Sequence, residues 1–213
     1  MAKKHLIDAL TVSFDSVHRK QVKEWADQLS HLLKPSRYDH SVSVAFTALH
    51  LADIHHLDPL RAVQSGILHD CAKCLSLKEM QRIAMEHSLT ADRSILESSS
   101  LLHSLVGAQI AEDKYGMTDP QVLDAIRYHN TGFPGMSRLA MCVCLSDSIE
   151  PLRKEYPMLS EIRALAEISL ERALLLSLER TAEFVCSEGH FLHPRTLDTI
   201  LWLRNLTDET IVP

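Results

Sequence analysis

Ala62-Val63-Gln64-Ser65-Gly66-Ile67-Leu68-His69-Asp70-Cys71-Ala72-Lys73 decides the reading of this chain. Its apolar residues recur at helical spacing, and the helix that carries them opens on Pro59, a residue suited to a first helical position. Adjacent helical positions diverge by about 100°, so His69 and Asp70 can share one centre only where a helix end faces a cavity. Lys73 follows three and four residues later, on the same side, where an ammonium could neutralise phosphate charge. Read alone, a His-Asp pair in a histidine-rich acidic chain could be chance.

Outward from that stretch the pattern stays helical and shows no sustained alternation, so an all-α fold with few strands or none is expected. Ser16 to Leu33 reads as a helix stopped by Pro35, and the next, opening near Asp39, sets Val42, Ala45, Phe46 and Leu49 on one stripe. The helix from Pro59 is expected to run through Ile67 toward Lys73. Ser76 and Glu79 spell a capping box for a short helix ending around His87. The polar stretch from His87 to Ser100 reads as irregular, before a helix that holds Val106 and Ile110 and ends at Gly116. Asp119-Pro120 starts another helix, and Asn130 to Gly135 must be a loop. A helix from about Ser137 to Ile149, a turn at Pro151, and two further helices, one ending at Gly189 and one beginning at Pro194, complete the chain.

With 213 residues, 46% of them apolar, and no repeat or linker, a single domain over 1–213 is expected, with its core at about 16–205. The net charge is −6 and the basic residues are scattered, so the footprint of a nucleic-acid partner is missing. The longest apolar run, Leu139 to Leu145, is too short to span a bilayer, and MAKKHLIDAL lacks the apolar core of a leader, which predicts no membrane partner and a cytoplasmic chain. Five cysteines without framework spacing fit a reducing compartment, and Cys71 and Cys74 read as helix packing more than as redox or zinc chemistry.

Thirteen histidines are harder to dismiss. His40 begins the Val42 stripe, His103 precedes Val106 and Ala108, His129 ends a helix, and Asp147 follows the apolar run Leu139 to Leu145. A carboxylate held against such a helix needs a cation or donors to offset its desolvation. Each residue alone has an ordinary explanation. Together with His69-Asp70 they read as a metal site, and imidazole with carboxylate suits iron first and manganese second, whereas magnesium would favour oxygen ligands. Arg37, Lys73 and Arg127 are the cations closest in sequence to the ligands and are candidate phosphate donors, joined by Thr131 and the amide of Gly132.

The ordered pattern H…HD…D, written here as His40, His69-Asp70 and Asp147, resembles the HD-domain phosphohydrolases. More closely, Arg37-Tyr38-Asp39-His40, Gly66 to Lys73, His103-Ser104-Leu105-Val106-Gly107-Ala108, Ile126 to Gly132, Ser146 to Pro151 and the late Gly189-x-x-x-His193-Pro194 resemble the YqeK branch, over about Ser16 to Asn205. This chain has Ser104-Leu105 where that branch usually has Gly-Pro, Ser148 where it has tyrosine, and Asn130-Thr131 where it has Thr-Thr. The turn near Arg153 lacks its usual glycines. These departures touch substrate placement and rate, since every metal-ligand position is kept.

The resemblance implies a single-domain helical bundle with a metal centre between its helices. It implies two divalent transition-metal ions bridged by Asp70, with His40, His69 and Asp147 on one ion and His103 and His129 on the other. The implied activity is symmetrical hydrolysis of a dinucleoside tetraphosphate by a metal-bridging hydroxide, with Asp70 and Lys73 as the catalytic pair. Its small-molecule partners are that dinucleotide and ADP or GDP as product. The oligomeric state is open, a homodimer included. Rival readings are another HD phosphohydrolase, such as a mononucleotidase, or a nucleotide-binding sensor with little turnover.

Overall fold

The computed structural model describes residues 2–208, which form a helical chain without a strand among them. The order is α1 (Ala2–Leu10), α2 (Ser16–Leu32), α3 (Pro35–Ile54), α4 (Pro59–Leu68), a 3₁₀ turn at Cys71–Cys74, α5 (Leu77–Glu86), α6 (Arg93–Leu96) and α7 (Ser99–Tyr115). Then come α8 (Pro120–Tyr128), α9 (Arg138–Ile149), α10 (Leu159–Ala166), α11 (Leu170–Ser187) and α12 (Pro194–Asp208). No helix among the described residues is long and apolar enough to cross a membrane.

Local chemistry sets most of the helix starts. Asp58 accepts from the amide of Arg61 at 3.0 Å ahead of Pro59, and Asp119 accepts from Gln121 at 2.9 Å ahead of Pro120. Ser76 and Glu79 exchange the two bonds of a capping box, and Gly116 ends α7 in the left-handed region at φ 65°.

The helices that matter for the site are α3, α4, α7, α8 and α9, and α3, α7 and α9 are buried on more than one face. At the α3/α4 contact, a Cβ on Gly66 would stand 2.7 Å from the Cα of Ala45. Only glycine permits that approach, which brings the end of α4 beside His40.

Four expectations are corrected. Pro35 opens α3 as its first residue instead of merely stopping α2, so α3 begins four residues ahead of Asp39. The helix from Pro59 does not continue to Lys73: α4 stops at Leu68, and the chain turns at His69-Asp70 before the 3₁₀ turn. The stretch from His87 to Ser100 is irregular only in part: it holds the short α6, capped by Asp92, and the first residues of α7. Between Pro151 and the last two helices stands an additional one, α10. It starts after Met158 at φ 70° with no side-chain cap, so the usual start signal is missing.

Candidate metal centre

Five helices and the turn after α4 deliver the six residues of the sequence pattern to one place. His40 comes from α3, His103 from α7 and Asp147 from α9, while His69 and His129 are the C-caps of α4 and α8. Asp70 sits just before the 3₁₀ turn.

The two helix ends use the same device. The Nδ1–H of His69 donates to the carbonyl of Gly66 at 2.8 Å, and that of His129 donates to Ile126 at 2.7 Å. Each bond satisfies a carbonyl the helix end leaves open and places the proton on Nδ1, so Nε2 turns its lone pair inward. His40 Nδ1 instead meets the Glu150 carboxylate at 3.0 Å. The Nδ1 of His103 is buried without a partner.

Inside the cluster the Nε2 atom of His40 lies 3.0 Å from Asp147 Oδ1 and 3.3 Å from His69 Nε2. Asp70 is split between two groups: Oδ2 lies 3.5 Å from His69 and 3.8 Å from His40, while Oδ1 lies 3.2 Å from His103 and 3.9 Å from His129. His103 and His129 approach to 3.0 Å through their Nε2 atoms. Ligand atoms of His40, His69 and Asp147 lie within 4.8 Å of one another, as do those of His69, Asp70 and His129, so His69 reaches both groups.

This donor set fits divalent transition metals. Imidazole nitrogens and carboxylate oxygens converge at ligand distances, and the outer hydrogen bonds leave at least three histidines with Nε2 free to coordinate. Protonation supports the same use. Burial, with the neighbouring His69 and His103, pushes His129 down to about 3, and burial also lowers His103. Burial works against the carboxylate of Asp70, yet His69 and His103 hold it well below the usual range. Asp147 is likewise depressed, with His40, His69 and Arg153 outweighing its burial. At His69 the order reverses: burial lowers it, but Asp70 and Asp147 together keep it above its ordinary value.

Of the expected phosphate donors, two stand at the cluster. Arg37 Nη1 donates to Asp70 Oδ2 at 2.7 Å with the guanidinium still 40% exposed. Lys73 is partly buried in the fields of Asp70 and Asp147, its pKa lowered by burial first. The other three are engaged elsewhere. Arg127 pairs with Asp124 on its own helix instead of with a site residue. The Thr131 hydroxyl donates to the Gly132 carbonyl, and the Gly132 amide is already bonded to Tyr128 O at 2.8 Å, so neither offers a free donor. Gly132 is needed for space, since a Cβ there would lie 2.7 Å from Thr199 Cγ2 on α12.

Sequence reasoning assigned no role to two neighbours. Arg153 bonds the carbonyl of Asp147 through Nε at 2.7 Å and its carboxylate through Nη2. Glu150, 1% exposed, backs His40. The available signal was the one used for Asp147, a carboxylate against an apolar helix end at Ile149-Glu150-Pro151. Cys71 follows the packing expectation, being buried with its thiol 3.3 Å from the Gly107 carbonyl and its pKa pushed up by burial, whereas Cys74 is exposed.

Residues 37–152, the span that carries all six candidate ligands, match the HD domain family model. The chain belongs to the HD-domain family. It is 36% identical over 171 residues to a symmetrical bis(5'-nucleosyl)-tetraphosphatase of Bacillus subtilis (strain 168), covering 80% of this chain and 91% of that protein. A protein of the same name from Staphylococcus aureus (strain NCTC 8325 / PS 47) is 34% identical over 181 residues, 84% and 92% of the two chains. Among solved structures, a predicted HD superfamily hydrolase involved in NAD metabolism from Clostridium acetobutylicum superposes with a TM-score of 0.83 at 36% identity, covering 86% of this HD-domain chain and 96% of its own.

Proposed function

We propose that the chain hydrolyses dinucleoside tetraphosphates symmetrically, turning diadenosine tetraphosphate and water into two ADP. The observation that carries this reading is the division of Asp70, one oxygen toward His40 and His69 and the other toward His103 and His129, in a chain that shares 34–36% identity with relatives of that name. Two ions, iron first and manganese second, would be held by His40, His69, Asp70, His103, His129 and Asp147, and when bound would supply Lewis acidity toward a phosphoryl oxygen and toward water.

The chain's own residues do the rest. Neutral His103 and His129 keep their lone pairs available at physiological pH. Arg37 and Arg153 hold the carboxylates of Asp70 and Asp147 in place, and their half-exposed guanidinium groups keep donors for phosphate oxygens. Lys73 adds a cation that burial has stripped of part of its water, which strengthens its pull on phosphate charge.

Cleavage next to the central bridging oxygen breaks one P–O bond and adds water across it, so both halves leave as ADP. Chromatography of an early time point tests this. ADP as the sole nucleotide product supports it; ATP with AMP, or free phosphate from mononucleotides alone, would overturn it.

A further inference from the structure

Four histidines face the cluster, and their outer nitrogens are treated differently. Those of His69 and His129 meet backbone carbonyls, that of His103 meets nothing, and that of His40 alone meets a carboxylate. Glu150 is itself clamped: its Oε1 lies 3.0 Å from His40 Nδ1 while its Oε2 accepts from the amide of Leu152 at 2.6 Å. The backbone of that turn is held in addition by Arg163, which donates to the carbonyls of Ile149 at 2.9 Å and Glu150 at 3.1 Å. A buried carboxylate so fixed keeps one oxygen aimed at the His40 ring.

We infer that Glu150 is a positioning residue of the metal centre, holding the His40 proton on Nδ1 so that Nε2 alone faces Asp147 and Asp70. A carbonyl fixes a ring's orientation; a carboxylate fixes it and also makes the imidazole a more basic ligand. The position shared by His40, His69 and Asp147 is therefore the more strongly held of the two. This rests on the metal reading above, and its test has one arm that needs no metal.

In chelated protein, long-range ¹H–¹⁵N spectra of the histidine rings, with His40 assigned by its loss in His40→Asn, read the tautomer directly. With Asp147→Ala removing the carboxylate 3.0 Å from Nε2, the Nδ1-protonated form is expected, and a mixed population once Glu150→Ala is added; Glu150→Gln keeps an acceptor oxygen and should keep the tautomer. With metal loaded, competition with a colorimetric chelator should show one ion bound roughly 10 to 100 times more weakly in Glu150→Gln and Glu150→Ala, and the other at its native affinity. Should Glu150→Ala fail to fold, Glu150→Leu carries the tautomer arm and Glu150→Gln the metal arm. A His40 tautomer unchanged by Glu150→Ala or Glu150→Leu, or native affinity for both ions, overturns the inference. A native chain that binds no transition metal removes the metal reading instead, while the ring spectrum still decides the part played by Glu150.

Discussion

Oδ1 of Asp70 lies 3.2 Å from Nε2 of His103, while its other oxygen meets Arg37 and His69. Removing a carboxylate divided in this way should disturb both halves of the centre. Protein prepared under reducing, anaerobic conditions should carry about two transition-metal ions per chain, and Asp70→Ala should lose most of both. His103→Ala touches one half and should lose one. Elemental analysis checks this; a single ion in the native chain, unaffected by Asp70→Ala, would remove the dinuclear arrangement.

Lys73 makes a different prediction, because it adds charge near the cluster without being one of the ligand residues. Lys73→Ala should keep its metal and lose roughly 10²-fold in kcat, the size expected when one donor to developing phosphate charge is taken away. Metal content and initial rates on diadenosine tetraphosphate separate the two roles. Loss of metal in this variant would make Lys73 part of the scaffold that holds the ions.

What the sequence revealed and what it hid have physical reasons. His69-Asp70 was legible because a polar pair at the end of an apolar helix needs a partner, and the same argument reached Asp147. The turn that lets both neighbours converge was not legible, since α4 ends at Leu68 without a glycine or proline to mark it. Nearness in sequence did not announce the partner of Arg127: two residues before His129, its guanidinium pairs with Asp124, three residues back on α8. Gly132 looked like a phosphate-loop glycine, but its need for space comes from Thr199, 67 residues away in sequence, a contact no local pattern announces.

Acid should weaken the chelated protein in a window set by His129. Its folded value is pushed down to about 3, first by burial, while an unfolded histidine protonates near about 6.5. Between these values the unfolded chain binds a proton that the folded chain refuses, so stability rises with pH across that interval and falls on acidification. His103, also lowered by burial, adds in the same direction. His69, raised by Asp70 and Asp147 against its burial, acts oppositely: its contribution is full below the unfolded value and fades as pH climbs through the folded one. Urea midpoints in EDTA from pH 7 to pH 4 should show a slope that His129→Gln reduces by up to about 1.4 kcal/mol per pH unit. An unaltered slope would mean that His129 is not held neutral.

The loop after His129 supplies the last test, because it separates a structural glycine from a phosphate-binding one. Gly132 has φ 62°, a region that disfavours any side chain by roughly 1–2 kcal/mol, and a Cβ there would also stand 2.7 Å from Thr199 Cγ2. Gly132→Ala should therefore destabilise the fold by both strain and overpacking, the latter adding about 1–3 kcal/mol. Thr199→Ser removes the clashing methyl and keeps the hydroxyl, which bonds the Thr131 carbonyl at 3.3 Å and the Arg195 carbonyl at 2.7 Å. The double variant should regain the overpacking part and leave the φ strain, so the two changes should couple in a double-mutant cycle. Since the Gly132 amide already bonds Tyr128, KM for diadenosine tetraphosphate should stay near its native value in the folded double variant. A loss of stability that Thr199→Ser does not relieve, accompanied by a rise in KM, would return the loop to the substrate site.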